Sequence, residues 1–226
     1  MPMIKSHAVI ILASGLSQRL GQSKQLLSKQ GEALIGYMTK LVLATQPYAV
    51  IVVIPQGYPL IVEAISALIA ESISQNSKIH TVVNPVPETG MAHSLSLGIE
   101  TLTHLNSPSI GRVLIMGVDQ VLLDKHHLIN LLAGKTPVVA SSYQRLNENE
   151  IISADEYKNN IVGLPLVISY ELLKQWQSAL IGDKGLRHLI RALPSNQIST
   201  VINHQLSYDV DTPDQLAHAQ QQSWLD

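Results

Sequence analysis

Two basic residues, Arg19 and Lys24, lie in the glycine-containing stretch ILASGLSQRLGQSKQLL at residues 11–27, and neither has a carboxylate near it in the sequence. Glycines let a backbone turn tightly around a ligand, and the two cations can neutralise a polyphosphate. The stretch lacks the patterns of a Walker A loop, a GxGxxG turn and a nucleophile elbow. We expect a phosphate-binding loop, with a surface loop bearing two solvated cations as the alternative. Because such a loop is exposed, replacing Lys24 by alanine should leave the fold intact.

A second stretch, VVNPVPETGMAHSLSLG at residues 82–98, places Asn84 at the end of an apolar run and Gly90 before an amphipathic segment. The free backbone N–H groups at the start of a helix bind anions or the polar edge of a base. We therefore expect Asn84 and the turn at Gly90 to contact a nucleotide. A glycine before a helix is also common without any ligand, and Ser94 and Ser96 suit ordinary helix positions equally well.

Carboxylates follow two further segments. Asp119 lies in LIMGVDQVLL after a run too apolar to bury an unpaired carboxylate, and Asp209 and Asp211 lie in SYDVDTPDQL. A carboxylate at the end of a strand is a natural ligand for Mg²⁺, which takes one or two carboxylates together with substrate phosphates. The alternative for Asp119 is a helix N-cap. Spacing of two puts Asp209 and Asp211 on one side of an extended segment, whereas Asp214 suits the first turn of a helix.

Runs of Val and Ile recur along the chain and indicate strands buried on both faces. They lie at residues 8–13, 49–54, 79–83, 112–117, 137–141 and 165–169. Helical patterns lie at residues 33–46, 58–73, 91–105, 125–133 and 213–225. This alternation predicts an α/β fold with a mostly parallel sheet and helices on both faces, in which ligands bind beyond the carboxyl ends of the strands. Residues 142–160 are polar and acidic, which predicts a hairpin or a mobile flap.

The composition favours one domain over residues 1–226 and excludes several classes of function. The chain is 46% hydrophobic and 14% charged with a net charge of −2, so it has no general attraction for nucleic acid or for an anionic membrane. It contains no cysteine, which excludes disulfides, thiol catalysis and cysteine-based zinc sites. Its apolar runs are shorter than a bilayer span requires. We expect a cytoplasmic protein.

Six segments resemble, in the same order, the motifs of nucleotidyltransferases of the molybdenum-cofactor type. The first is LASGLSQRLGQSKQLL at 12–27, which is similar to the family's LAxGxSxRMGxxKxLL. The others are NPVPETGMAHSLSLG at 84–98, VDQ at 118–120, GLP at 163–165, GDKGLR at 182–187 and DVDTPDQL at 209–216. Six matches in register along nearly the whole chain identify it as a member of the MobA-like NTP transferases, with the likeness greatest to the cytidylyl-transferring branch.

The resemblance implies a single-domain, Rossmann-like sheet of the nucleotide-diphospho-sugar transferase (GT-A-like) type. It also implies transfer of a nucleoside monophosphate, with CMP favoured, from an NTP to a phosphate-bearing acceptor that is molybdopterin or the molybdenum cofactor. Mg²⁺ would be the cofactor. The partners would be an NTP, with CTP favoured, and the acceptor, and the resemblance allows a molybdoenzyme or its chaperone as a protein partner.

Roles for individual residues follow from the same resemblance. Arg19 and Lys24 would be catalytic, with Arg19 at the β- and γ-phosphates and Lys24 at the α-phosphate. Asp119 and Asp211 would hold the metal. The nucleotide would contact Leu12, Ala13, Ser14, Gly15, Lys24, Asn84, Gly90, Met91 and Ser94. The acceptor would contact Gly163, Pro165, Asp183 and Arg187, with Arg187 facing its anionic group.

Three alternatives stay open. A guanylyl-transferring relative would use GTP, and LASG matches neither the LAGG of guanylyl enzymes nor the LAAG of cytidylyl enzymes. A GT-A-type glycosyltransferase would use the DxD pattern of Asp209 and Asp211 for metal. A catalytically degenerate homologue acting as a binding or partner protein would explain why Ser14, Val121 and Leu164 depart from the family's motifs.

Overall fold

A computed structural model describes residues 6–72, 78–105, 110–144, 160–182 and 185–226. The strands are β1 (Ser6–Leu12), β2 (Ser28–Lys29), β3 (Glu32–Ala33), β4 (Val50–Pro55), β5 (Ile79–Asn84), β6 (Ile110–Gly117), β7 (Val138–Gln144), β8 (Asn160–Ser169) and β9 (Ile198–Ile202). The α-helices are α1 (Leu34–Leu43), α2 (Pro59–Ser72), α3 (Met91–His104), α4 (Lys125–Ala133), α5 (Tyr170–Trp176), α6 (Arg187–Arg191) and α7 (Pro213–Gln221). In this part of the chain, no helix is long and apolar enough to cross a membrane.

Seven of the described strands form one sheet in the order β5-β4-β1-β6-β8-β7-β9. Neighbouring strands run parallel except at β8, which is antiparallel to both β6 and β7. The predicted fold class, a mostly parallel sheet in an α/β protein, is therefore confirmed. Strands β2 and β3 form a separate antiparallel hairpin directly after the loop that carries Arg19 and Lys24.

Alternate residues of the central strands pack on opposite faces of the sheet, because successive side chains of a strand point to opposite sides. Val9 and Ile11 of β1 join a core with α1, α2, α4 and α7, whereas Ala8 and Ile10 join a core with α3, α5 and α6. The sheet is thus covered by helices on both faces, as its continuous apolar runs predict. Gly98 lets α3 pack closely on β1, because a Cβ there would lie 2.8 Å from Ile10 Cγ2.

Several features differ from the sequence-based expectation. Strand β9 and helices α5 and α6 were not predicted, because β9 is short and only partly buried and the two helices span seven and five residues. Strand β7 extends to Gln144, three residues beyond its predicted end, and pairs antiparallel with β8 as a hairpin would. The rest of the predicted flap, residues 145–159, lies outside the described residues. Helix α7 ends at Gln221, four residues before its predicted end.

The register of the sheet brings two predicted loops together. Leu12, the last residue of β1, pairs with Gly117, the last residue of β6, so that the segments that follow both strands start side by side. Because β1 and β6 are central and parallel, these segments leave at the carboxyl edge, where ligands bind in such sheets.

Candidate functional site

A third segment joins these two loops at the carboxyl edge of the sheet. The backbone N–H of Val210 donates to the carbonyl of Asp119 at 3.2 Å, and Gln120 forms an isolated antiparallel bridge with Asp209. These contacts align the segment that contains Asp119 with the segment that contains Asp211. Residues from the beginning, the middle and the end of the chain therefore meet at one place.

A cluster of opposite charges forms where the three segments meet. Lys24 Nζ donates to Asp119 Oδ2 at 3.1 Å and also to Asp211 Oδ1, and Arg19 Nη2 donates to Asp211 Oδ2 at 2.6 Å. Lys24 is 9% exposed, whereas the side chain of Arg19 is 73% exposed. The alternative of two solvated cations is therefore wrong for Lys24. The expectation that Lys24 is an exposed loop residue is also wrong, because its ammonium group is enclosed by two carboxylates.

The charges of the cluster shift the pKa values of three of its members. Burial alone would lower the pKa of Lys24, but the carboxylates of Asp119 and Asp211 outweigh it and raise that pKa. Burial opposes ionisation of Asp211, yet Lys24 and Arg19 lower its pKa. Partial burial, followed by the nearby charges of Asp119 and Asp211, raises the pKa of Asp209. Lys24 and Asp211 are thus held in their charged forms, while a third carboxylate beside them ionises less readily.

The carboxylates fit a divalent cation bound together with phosphates. Asp119 and Asp211 converge on one point from different segments, and two carboxylates are the number that Mg²⁺ takes when a substrate supplies further oxygens. When ionised, Asp119, Asp209 and Asp211 carry three negative charges, whereas Arg19 and Lys24 carry two positive ones. The uncompensated negative charge agrees with the raised pKa of Asp209. Within the described ranges, no cluster of three or more His, Asp or Glu side chains has the geometry of a complete metal site. Oxygens from a substrate or from water would therefore complete the coordination of the metal.

Gln25 fixes the turn that precedes Lys24. Its Nε2 donates to the carbonyls of Ala13 at 2.7 Å and Gly15 at 2.8 Å, while the N–H of Ala13 donates to the carbonyl of Val53. The backbone groups of Ala13 are therefore used within the protein, and the predicted contact of Ala13 with a nucleotide is not supported. Ser14 Oγ and Gln25 Oε1 are both buried and have no hydrogen-bond partner among the described residues.

A cavity of about 190 Å³ opens beside this turn and lies at the N-terminus of α3. Of the residues predicted to contact the nucleotide, those that line it are Leu12, Ser14, Gly15, Lys24, Gly90, Met91 and Ser94. Asn84 does not line it. Asn84 is fully buried behind the wall, where its Nδ2 donates to Ser94 Oγ at 3.1 Å and its Oδ1 accepts from the N–H of Val86. The predicted direct contact of Asn84 with a nucleotide is therefore not supported, and its hydrogen bond positions it to orient Ser94.

A larger cavity of about 750 Å³ adjoins the first, and the two share Leu12, Met91, Gly117, Asp119 and Leu164. Gly163 and Arg187, which were predicted to contact the acceptor, line this cavity. Pro165 does not, and its carbonyl accepts a hydrogen bond from the buried Ser141 hydroxyl at 2.6 Å. The predicted contact of Pro165 with the acceptor is therefore not supported, whereas its neighbour Leu164 lines both cavities. Asp183 lies outside the described residues.

Several residues of the site were not among those predicted to take part in nucleotidyl transfer. Gln120 lines the larger cavity, and its Nε2 donates to the carbonyls of Leu164 at 3.0 Å and Leu206 at 3.3 Å. Arg191 lines the same cavity from the last position of α6. Asp209 also lines it, whereas Asp211 bonds to Lys24 and Arg19, so the two aspartates of the DxD pattern have different surroundings. The sequence contains one indication of Gln25 and Gln120, because each directly follows a residue that was predicted to belong to the site.

Comparisons with known proteins agree with this fold. The model of the family described as MobA-like NTP transferase domain matches residues 9–198. No curated protein matches the chain. Among solved structures, Rv0371c from Mycobacterium tuberculosis H37Rv is similar with a TM-score of 0.71 and 19% identity, covering 96% of this chain and 99% of that chain.

Two further structures show the same fold at similarly low identity. The 4-diphosphocytidyl-2C-methyl-D-erythritol synthase from Anaerococcus prevotii has a TM-score of 0.71 and 14% identity, covering 98% of both chains. A nucleotidyl transferase from Methanothermobacter thermautotroptrophicus has a TM-score of 0.71 and 17% identity, covering 96% of this chain and 97% of that one.

Proposed function

The chain belongs to the MobA-like NTP transferase family, and we propose that it transfers a nucleoside monophosphate from an NTP to a phosphate-bearing acceptor and releases pyrophosphate. One observation carries the proposal. The buried ammonium of Lys24 lies between Asp119 and Asp211, and Asp119 belongs to the wall that the two adjoining cavities share. A cation at the boundary between two binding cavities suits a reaction in which a phosphoryl group passes from one bound substrate to another.

In the proposed reaction the NTP occupies the smaller cavity, beside the N-terminus of α3. A phosphate oxygen of the acceptor attacks the α-phosphorus, the bond between that phosphorus and the bridging oxygen breaks, and the electron pair leaves with pyrophosphate. Lys24 would contact the α-phosphate and stabilise the charge that develops there, and Arg19 would contact the β- and γ-phosphates. Both cations would exchange their bonds to Asp211 for bonds to phosphate oxygens as the NTP binds.

The preorganisation of this loop supports the assignment. Gln25 holds two carbonyls of the turn, so that Ser14, Gly15 and Lys24 keep fixed positions around the smaller cavity before a ligand arrives. A loop that is rigid in advance loses little conformational entropy on binding. Positioning and charge neutralisation are the main contributions that a protein makes to phosphoryl transfer.

We propose Mg²⁺ as the cofactor, held by Asp119 and Asp211. When bound, it would polarise the phosphoryl oxygen and neutralise phosphate charge. Asp119 and Asp211 would then face the metal rather than Lys24, which frees the ammonium group for the substrate. A structure of Rv0371c, which shares this fold, is a complex with manganese, and that supports a divalent cation here.

For the substrates, we propose CTP as the favoured NTP and molybdopterin or the molybdenum cofactor as the acceptor. The base preference rests on the GM-x-x-S segment at residues 90–94, of which Gly90, Met91 and Ser94 line the smaller cavity. The unpartnered hydroxyl of Ser14 in that cavity is available to a base. The acceptor assignment rests on the GDKGLR segment, whose Arg187 lines the larger cavity, and a molybdoenzyme or its chaperone would receive the product.

The test is a pyrophosphate-release assay with purified molybdenum cofactor, Mg²⁺ and each of CTP, GTP, ATP and UTP. We expect release with CTP and a cytidylylated acceptor by mass spectrometry. Lys24→Met should lower turnover by at least a hundredfold. Lys40→Met, which removes an exposed lysine paired with Glu32, is the control and should not change it. Release with GTP alone would move the base assignment to guanine, and no release with any NTP would refute the proposed function.

A further inference from the structure

Apolar side chains form a large part of the wall of the larger cavity, beside the polar side chains of Asp119, Gln120, Tyr143, His188 and Asp209. Leu95, Ile115, Leu166, Leu186 and Ile190 line it, and each of these residues is at most 6% exposed. They come from α3, β6, β8 and α6 with the residue before it, so apolar side chains enter the wall from several elements. Polar groups of a bound molecule that face these five side chains would lose their contacts with water without gaining hydrogen bonds there.

Two arginines line the same cavity. Arg187 and Arg191 are four residues apart on α6 and therefore lie on one face of the helix. Both are exposed, and within the part of the chain that the structure describes neither has a hydrogen bond or an ion pair. Arg112 provides the contrast, because its guanidinium donates to backbone carbonyls of Leu132 and Thr136 and so has a structural role. The two cations of α6 are available to an anion.

A buried polar atom of Gln120 also belongs to a residue of this wall. Both protons of Gln120 Nε2 are directed to the carbonyls of Leu164 and Leu206, which fixes the orientation of the amide. Its Oε1 is buried and has no partner among the described residues. Buried acceptors are normally satisfied, so an N–H or O–H donor from an occupant or from water is expected at this atom.

We propose that the larger cavity binds an acceptor with an apolar ring or chain as its body, and that Arg187 and Arg191 together contact its anionic group. This inference rests on the proposed function, whose acceptor it narrows from any phosphate-bearing molecule to an amphipathic one. It also assigns Arg191 to the binding of the acceptor's anionic group, whereas the reaction described above gives this residue no role. Small polyhydroxylated phosphate esters should bind less tightly, since hydroxyl groups that face the apolar side chains would have no hydrogen-bond partner there.

The test compares two phosphate monoesters by titration calorimetry on the intact protein with Mg²⁺. 1-Naphthyl phosphate has an apolar body and glycerol 2-phosphate a polar one, while their anionic groups are the same. We expect 1-naphthyl phosphate to bind at least about tenfold more tightly, because burying a small part of its ring surface already supplies that factor. Equal affinities, or no measurable binding of either compound, would overturn the proposal.

Variants locate the anionic group. Arg187→Gln and Arg191→Gln should each weaken 1-naphthyl phosphate binding by about fivefold or more, as loss of a charge-assisted hydrogen bond does. The control Lys125→Gln removes one exposed positive charge from α4, which lines neither cavity, and should change affinity less than twofold. Unchanged affinity in Arg191→Gln would show that this residue does not hold the anion.

The outcome is independent of the assay for the proposed function. A protein that shows this ligand preference but releases no pyrophosphate from any NTP would refute the transfer reaction and leave the chemistry of the cavity standing. A protein that releases pyrophosphate but binds the two esters equally would support the transfer reaction and refute the proposed chemistry of the cavity.

Discussion

Replacement of Lys24 by methionine removes the ammonium group that lies between Asp119 and Asp211, and we expect it to lower the free energy of unfolding. Methionine keeps the length and the apolar stem of lysine, so the change isolates the charge. The variant leaves Asp119, Asp209 and Asp211 close together with Arg19 as the remaining cation of the cluster.

The size of the loss follows from the geometry. At 3.1 Å and an effective dielectric constant of about 20, the attraction between Lys24 and Asp119 is about 5 kcal/mol before desolvation. Burying the ions offsets several kcal/mol of this. The side chains of Asp119 and Asp211 are 32% and 23% exposed, so water screens them further. A net loss of about 1–3 kcal/mol remains, below the range for fully buried pairs.

Urea unfolding in EDTA and in Mg²⁺ measures this effect. In EDTA the midpoint of Lys24→Met should fall, while the control Lys40→Met should stay within about 0.5 kcal/mol of the wild type because its pair with Glu32 is exposed. Mg²⁺ should stabilise Lys24→Met more than the wild type, since the carboxylates then lack their internal cation. Equal midpoints in EDTA, or an equal effect of Mg²⁺ on both proteins, would refute the reasoning.

Three further outcomes follow from the structure. The raised pKa of Asp209 means that its ionised form is disfavoured in the folded state, so the stability it contributes is present below its unfolded pKa and lost as the pH rises through its folded pKa. Asp209→Asn should therefore raise the melting temperature at pH 7, with the gain shrinking towards pH 4, and a pH-independent effect would contradict this. Gln25→Met leaves two carbonyls of the turn without their donor and should raise the Kd for CTP by at least about tenfold. Fluorescence or calorimetric titration measures this Kd, and an unchanged value would contradict the prediction. Gly98→Ala should cost about 1–3 kcal/mol in urea unfolding by forcing a methyl group against Ile10, and an unchanged midpoint would mean that α3 moves away freely.

The sheet could be predicted from the sequence because its strands are continuous apolar runs, whose signal is local. The short elements could not. Helix α6 has five residues, which are too few for a repeating pattern of apolar residues to indicate a helix. Arg191 could therefore not be placed beside Arg187 from the sequence. Strand β9 is a partly buried edge strand whose ISTVI pattern is less apolar than those of the central strands.

The charged residues of the site were found through their motifs, but their environment was not. Lys24 is enclosed by Asp119 and Asp211, which lie 95 and 187 residues away in the sequence. The spacing of motifs does not reveal contacts between such distant residues. The contact of Asn84 with Ser94 spans only ten residues, but it depends on how α3 packs against the end of β5, which the sequence pattern does not specify.

The most direct test of the account is thermal stabilisation of the wild type and of Asp119→Ala by CTP, GTP, ATP and UTP, each with and without Mg²⁺. A nucleotide at one hundred times its Kd should add about 2.7 kcal/mol to the free energy of unfolding, a clear shift in the melting temperature. The account predicts the largest shift for CTP with Mg²⁺ and its loss in Asp119→Ala. No shift with any nucleotide, or a shift for CTP that needs neither Mg²⁺ nor Asp119, would contradict it.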